Sequence, residues 1–278
     1  MATVLALVSA LCYGLSDFAG GLLARRASFV VVAFLGQVGG LALVAVVAPL
    51  ASTGPPDPGD LGWGALSGVG TGLAMVFLFR GLSRGAMTVV VPASAVGGVA
   101  VPVLVGVLVL SERPSALAWV GIALAVPALW LVSAPGGRLR PTVSPAVLDG
   151  LVAGLAIALQ YLALAQSGPG SGLWPVLSGR AAAVLTVLPL LPGARATLRV
   201  RWPVVLGSAA AGMAASLALA CFLLAARRDL VAIAVVLSSL YPVVPVLLGV
   251  TMLHERVTRH HLVGLIAAGL AIGLLAVP

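Results

Sequence analysis

Residues 102–121 read PVLVGVLVLSERPSALAWVG, and residues 245–264 read PVLLGVTMLHERVTRHHLVG. At an offset of 143 positions Pro102 falls on Pro245, Val103-Leu104 on Val246-Leu247 and Gly106 on Gly249. In the same frame Glu112-Arg113 falls on Glu255-Arg256, Gly121 on Gly264 and Arg84 on Arg227, with no gap. A chain rich in Val, Leu and Gly matches itself by chance at apolar positions. Chance does not readily align proline, glycine and a charged dipeptide in one register, so an internal duplication is the better reading. Each copy is an apolar block closed by Glu-Arg and followed by a second apolar block.

That alternation extends over the whole chain. Of 278 residues, 61% are hydrophobic and only 8% charged, against about 25% charged in a soluble domain. This is too little charge to cover a water-facing surface. The apolar blocks fall at 3–24, 29–50, 61–82, 86–110, 116–134, 147–166, 172–191, 203–226, 230–253 and 260–277. Each is close to the roughly 20 residues a helix needs to cross a ~30 Å hydrocarbon core. Arg25-Arg26, the Pro- and Asp-bearing loop 53–60, Arg84-Gly85 and Glu112-Arg113-Pro114 punctuate them. The blocks are about twice the length of a barrel strand and none alternates strictly, which leaves helices.

The repeat pairs the fourth block with the ninth and the fifth with the tenth. Residues 1–134 therefore form one five-helix half, 135–146 a polar linker and 147–278 a second half. With an odd number of spans, the second half enters the bilayer the opposite way up. The expected fold is an all-α integral membrane protein of ten transmembrane helices in two inverted repeats. That build places a solute site near the midplane between the halves.

The motif Pro242-Val-Val-Pro245, Gly249, Leu253-His-Glu255-Arg256-Val-Thr258 and Gly264 resembles the end of an EamA-type domain. Pro102, Gly106, Leu110-Ser-Glu112-Arg113 and Gly121 resemble the end of a first copy. Over essentially its whole length the chain is similar to the drug/metabolite transporter superfamily. Pro114 departs from the family pattern, which bears only on the local turn. The resemblance implies ten helices around a central cavity, alternating access and a small-molecule solute such as an amino acid, drug or sugar. It also implies both termini on the cytoplasmic side.

Charge placement sharpens and contests that picture. The net charge is +8, carried by arginine. Loops after odd-numbered blocks, with their flanks, hold Arg25, 26, 80, 84, 138, 140, 195, 199, 201, 256 and 259; those after even-numbered blocks hold Arg113, 227 and 228. Positive-inside reasoning puts the first set in the cytoplasm and both termini outside, opposite to what the resemblance implies. No basic stripe with interleaved aromatics exists, so nucleic acid is not an expected partner. Cys12 and Cys221 lie inside apolar blocks and read as packing residues. No charged segment precedes the first block as in a signal peptide, and that block reads as a span. No P-loop follows a strand, and Gly68-Val-Gly70-Thr-Gly72 lacks the strand a dinucleotide loop needs. His254, His260 and His261 match no metal-ligand spacing. No Ser/His/Asp set or carboxylate pair lies within the spans. Neither an enzyme nor a cofactor is expected, and the bilayer of the cytoplasmic membrane is the expected setting.

Two charges stand well inside blocks, away from their ends. Asp17 lies about 10 Å from the end of the first, and Arg180 about 12 Å into the seventh, at 1.5 Å rise per residue. Ser9, Tyr13, Ser16, Asp17 and Gly20 share one helical face. An intramembrane charge is costly unless paired or wet, and reads as functional by default. Asp17 is a candidate for a proton, a cation or a substrate amine, unless it pairs with Arg25 or Arg26. Arg180 is a candidate gate partner to Asp17, an anchor for a carboxylate or phosphate, or a structural partner to carbonyls. Together they suit a zwitterionic solute. Gln160 in the sixth block and Tyr241 in the ninth are further candidates. Pro102, Gly106, Pro245 and Gly249 are hinge or packing positions. Gly64, Gly68 and Gly72 repeat every four residues, as do Gly207, Ala211 and Ala215, and serve close helix packing. The function expected is secondary transport of a small metabolite or drug. A lipid or lipid-linked-sugar flippase and a non-transporting membrane scaffold are the alternatives.

Overall fold

A computed structural model describes residues 2–52, 54–109, 116–133, 144–191, 200–226 and 241–275. These form ten α-helices: α1 (Ala2–Ala24), α2 (Phe29–Ala51), α3 (Pro58–Arg84), α4 (Met87–Val109), α5 (Ala116–Ser133), α6 (Pro145–Ala165), α7 (Trp174–Val187), α8 (Trp202–Ala226), α9 (Val243–Met252) and α10 (Arg259–Leu275). No strand occurs among the described residues. Among the described residues five helices are long and apolar enough to cross a membrane: α1, α2, α3, α6 and α8. Shorter apolar stretches lie in α4, α7, α9 and α10. The chain is a multi-pass membrane protein.

Local chemistry sets the helix starts. Asp57 accepts hydrogen bonds from the amides of Gly59 and Asp60, and Pro58 opens α3 where no amide is needed. Ser144 and Pro145 do the same for α6. The seventh apolar block yields a shorter α-helix than expected, flanked by 3₁₀ turns at Pro169–Ser171 and Leu188–Leu190. In the ninth block Tyr241 and Pro242 lie in a turn ahead of α9 rather than on its face. Proline disfavours helical backbone in the residue before it, which keeps Tyr241 outside the helix. The rest of that block, 230–240, lies outside the described residues, as do Glu112 and Arg113.

Polarity is inverted relative to a soluble protein. Leu7, Leu11 and Leu15 of α1 are exposed, while Ser9, Ser16 and Asp17 are buried. The same helix thus offers apolar side chains to lipid and polar ones to the interior. Leu148 and Leu155 of α6, Leu206, Met213 and Leu217 of α8, and Leu262, Ile266 and Leu270 of α10 continue the apolar exterior.

Close contacts fix helix directions. Arg25, after α1, donates to the carbonyls of Leu82 and Gly85 at the end of α3, so α1 and α3 run the same way. Arg80 of α3 pairs with Asp149 in the first turns of α6 at 2.6 Å, while Asp60 at the start of α3 accepts from Gly168 beyond the end of α6. These two helices are antiparallel. Gly64, Gly68 and Gly72 of α3 meet Pro175, Gly179 and Ala183 of α7 in rising order, a parallel pair. Ser9 donates to the Ala218 carbonyl and Ser16 to that of Ala211, both at 2.8 Å, so α1 and α8 are antiparallel. Gly36 and Gly40 of α2 meet Gly212 and Ser216 of α8 in parallel. At Gly68 and Gly212 the facing backbone leaves no room for a Cβ, which is why glycine stands there.

Candidate functional site

The charged residues inside the bundle sit where α1, α2, α6, α7 and α8 converge. Asp17 is 5% exposed and Arg180 4%. They make no ion pair with each other: Arg180 Nη1 donates instead to the side-chain oxygen of Gln37 on α2, at 2.9 Å. Arg25 is engaged by Glu255 and α3 carbonyls rather than by Asp17. Among the described residues no ion pair or hydrogen bond reaches the Asp17 carboxylate. Its electrostatic neighbours are the hydroxyls of Tyr13, Tyr161 and Tyr241. A buried carboxylate beside phenols is costly unless a proton, cation or water compensates it.

Tyr13 links the two charges, since its hydroxyl feels Tyr161, Arg180 and Asp17. Its ring lies 6.2 Å from that of Tyr241, tilted by 57°. Tyr161 meets Phe222 edge-on at the same centroid separation, 6.2 Å. Tyr241, held in the turn before α9, also faces Ser94 of α4. Tyr13 and Asp17 thus come from the first half of the sequence, and Tyr161, Arg180 and Tyr241 from the second.

A small cavity of about 10 Å³, room for one water-sized group, adjoins this cluster, lined among others by Ser16, Gln37, Phe79, Arg180, Ser208 and Gly212. Ser16 lines it while donating to the Ala211 carbonyl. Gln160 is buried but stands apart: its backbone packs on Gly70 of α3, and among the described residues no hydrogen bond joins it to Asp17, Tyr13 or Arg180. The neighbouring Tyr161 takes that place. Gln37 and Ser208 are the residues sequence reasoning missed. Gln37 carried a usable signal, as the one amide in the second apolar block, flanked by Gly36 and Gly39-Gly40. Ser208 carried none, being one small residue among many on α8.

The hinge candidates divide. Pro245 and Gly249 are buried in α9; Pro102 and Gly106 belong to α4. A Cβ on Gly249 would approach the Glu255 carboxylate to 3.1 Å and Met87 to 3.4 Å. Behind α9, His254 adopts φ 53°, a left-handed turn that ends the helix and folds Glu255 back so that its amide reaches the Gly249 carbonyl at 3.1 Å. The Glu255 carboxylate then accepts from the amides of Met87 and Thr88 at the start of α4, from the Thr88 hydroxyl and from Arg25. Burial alone would raise its pKa. The Thr88 and Met87 amides, with Arg25 and the Thr88 hydroxyl, outweigh that and hold it below the usual glutamate value. The second-copy Glu-Arg signature thus ties α9 to α1, α3 and α4.

No curated protein matches the chain. One similar solved structure, "Crystal structure of protein", covers 98% of this chain and 97% of its own with a TM-score of 0.61 at 20% identity, and so shares its fold. The resemblance carried by the repeated Pro/Gly/Glu-Arg motif is met by a family model for its first copy: residues 1–134 match the model of the EamA-like transporter family.

Proposed function

We propose that the chain is a secondary transporter, moving a small polar solute across the cytoplasmic membrane by alternating access between two inverted five-helix halves. The observation that carries this reading is the cluster of buried Asp17 and Arg180 with half-buried Tyr13, Tyr161 and Tyr241, which joins side chains of both halves. Interiors of this kind mark solute and ion pathways in membrane proteins.

The helix pairings support the inverted repeat. Replacing each helix by the one five later turns the antiparallel pair α3–α6 into α8–α1, and the parallel pair α3–α7 into α8–α2. Both counterparts are observed with the same sense. α1 and α6 run in opposite directions, as do α3 and α8.

Asp17 is the candidate coupling site for a proton or cation, and Arg180 the candidate solute anchor. A flippase would serve a lipid headgroup from the bilayer side, whereas Arg180 is 4% exposed and faces an interior cavity. A scaffold has no need of two buried charges. The test is uptake or counterflow of candidate metabolites in proteoliposomes. Saturable, gradient-driven movement abolished by Asp17→Asn supports the reading. Wild-type vesicles that move no solute in a broad metabolite screen, yet scramble labelled lipid, would replace it with the flippase.

A further inference from the structure

We infer that the Arg180 cavity is a carboxylate-binding recess, so that the solute of the proposed transporter carries a carboxylate. This rests on the transport reading for the word solute, but the recess itself is argued from its donors. Two buried side-chain oxygens, those of Ser208 and Ser216, have no hydrogen-bond partner among the described residues, and both lie beside Arg180. Ser208, 1% exposed, lines the cavity with it. Ser216 stands two turns further along the same face of α8, against Gly40 and beside the aliphatic stem of Arg180. The Tyr13 hydroxyl lies within the field of the guanidinium.

Arg180 itself is under-used. A guanidinium has five N–H donors in a rigid fork, and the Gln37 oxygen is its one hydrogen-bond acceptor among the described residues. That bond orients the Gln37 amide, leaving its NH₂ as a further donor on the cavity. The recess thus presents a cation, an amide NH₂ and hydroxyls, with no carboxylate lining it. Donors without acceptors, buried together, fit an anion. One guanidinium balances one negative charge, and no second cation lines the recess among the described residues. A planar monoanion that takes two parallel N–H bonds, a carboxylate, matches that charge and fork; a phosphate dianion leaves one charge uncompensated.

The test is equilibrium binding of labelled monocarboxylates (glycine, leucine, lactate and benzoate) to the purified protein in nanodiscs, without any gradient. Saturable binding of at least one is expected, competed by other carboxylates and not by the matching amides or by inorganic phosphate. Arg180→Gln should weaken it by about tenfold or more and Arg180→Lys by less, since a point charge keeps the attraction and loses the fork. Ser208→Ala, which leaves the charge in place, should weaken it several-fold. Monodisperse gel filtration shows that the variants fold. The inference is overturned if none of the four binds, if amides or phosphate compete as well as carboxylates, or if Arg180→Gln and Ser208→Ala both bind as the wild type does. A carboxylate that binds here but is never transported in proteoliposomes would sink the transport reading and leave the recess standing. A transported solute with no carboxylate would sink the recess alone.

Discussion

Asp17 and Arg180 are the two charges buried well inside apolar blocks, yet they do not neutralise each other. Arg180 leans on Gln37, and Asp17 faces three tyrosines. Separate sites fit separate tasks better than a static ion pair does. If Asp17 carries the coupling proton, Asp17→Asn removes the one titratable carboxylate of the cluster. Uptake by this variant should lose its dependence on a pH gradient, while solute exchange without a gradient persists; a wild-type pH profile in Asp17→Asn vesicles excludes the role. Both charges were legible in the sequence because a charge inside an apolar block has no bland explanation. Their neighbours were not. Gln160 and Tyr161 are adjacent, and periodicity alone did not say that Tyr161 turns to the cluster while Gln160 backs onto Gly70. Ser208 is distinguished only by what faces it across the cavity, which no single helix records.

At the scale of elements, glycine contacts and one acidic clasp hold the bundle. The Cβ of any residue at Gly68 would meet the backbone of Gly179, and at Gly212 that of Gly36. Backbone cannot swing aside as a long side chain can. Gly68→Leu or Gly212→Leu should therefore destabilise by at least ~1–3 kcal/mol, seen as a lower melting temperature and reduced folded yield in detergent; Gly62→Leu, where nothing approaches, is the control. The stripe itself was readable from the sequence, but its partners were not: small residues say that something comes close, not which helix. The clasp at Glu255 behaves in a definite way with pH. Its folded pKa is depressed, so its stabilisation is fully present above the ordinary glutamate value of about 4.3 and is lost only as pH falls through the lower folded value. Wild type should melt above Glu255→Gln at neutral pH, keep that lead down to the ordinary carboxylate range, and lose it below. A lead that vanishes already near pH 6 would mean another group controls the clasp. The sequence marked Glu255-Arg256 as a signature; the left-handed turn at His254 that delivers the carboxylate to α4 is not a pattern that residue types announce.

For the whole molecule, the orientation in the bilayer is open to a direct test. Arg25, Arg26, Arg80, Arg84, Arg201, Arg256 and Arg259 all lie at the end of the bundle reached by the C-termini of α1, α3 and α9. The first and last described residues, Ala2 and Leu275, lie at the opposite end. The later part of the chain does not cancel this bias, because Arg201, Arg256 and Arg259 stand at the same end as Arg25, Arg26, Arg80 and Arg84. An arginine is retained on the cytoplasmic side chiefly when it lies near the end of a span, and these do. Three of them, Arg25, Arg80 and Arg84, are committed to Glu255 and Asp149, yet Arg26, Arg201, Arg256 and Arg259 keep the excess on that face. The charge argument therefore predicts both termini outside, against what the family resemblance implies. The check uses a Cys12→Ala, Cys221→Ala background, in which one cysteine is added either at a terminus or at Gly137 in the linker. An impermeant maleimide should label the terminal cysteine in intact cells and the linker cysteine only after permeabilisation. The reverse pattern would show that family architecture overrides the loop charges, and it would place the Glu255 clasp on the outer face.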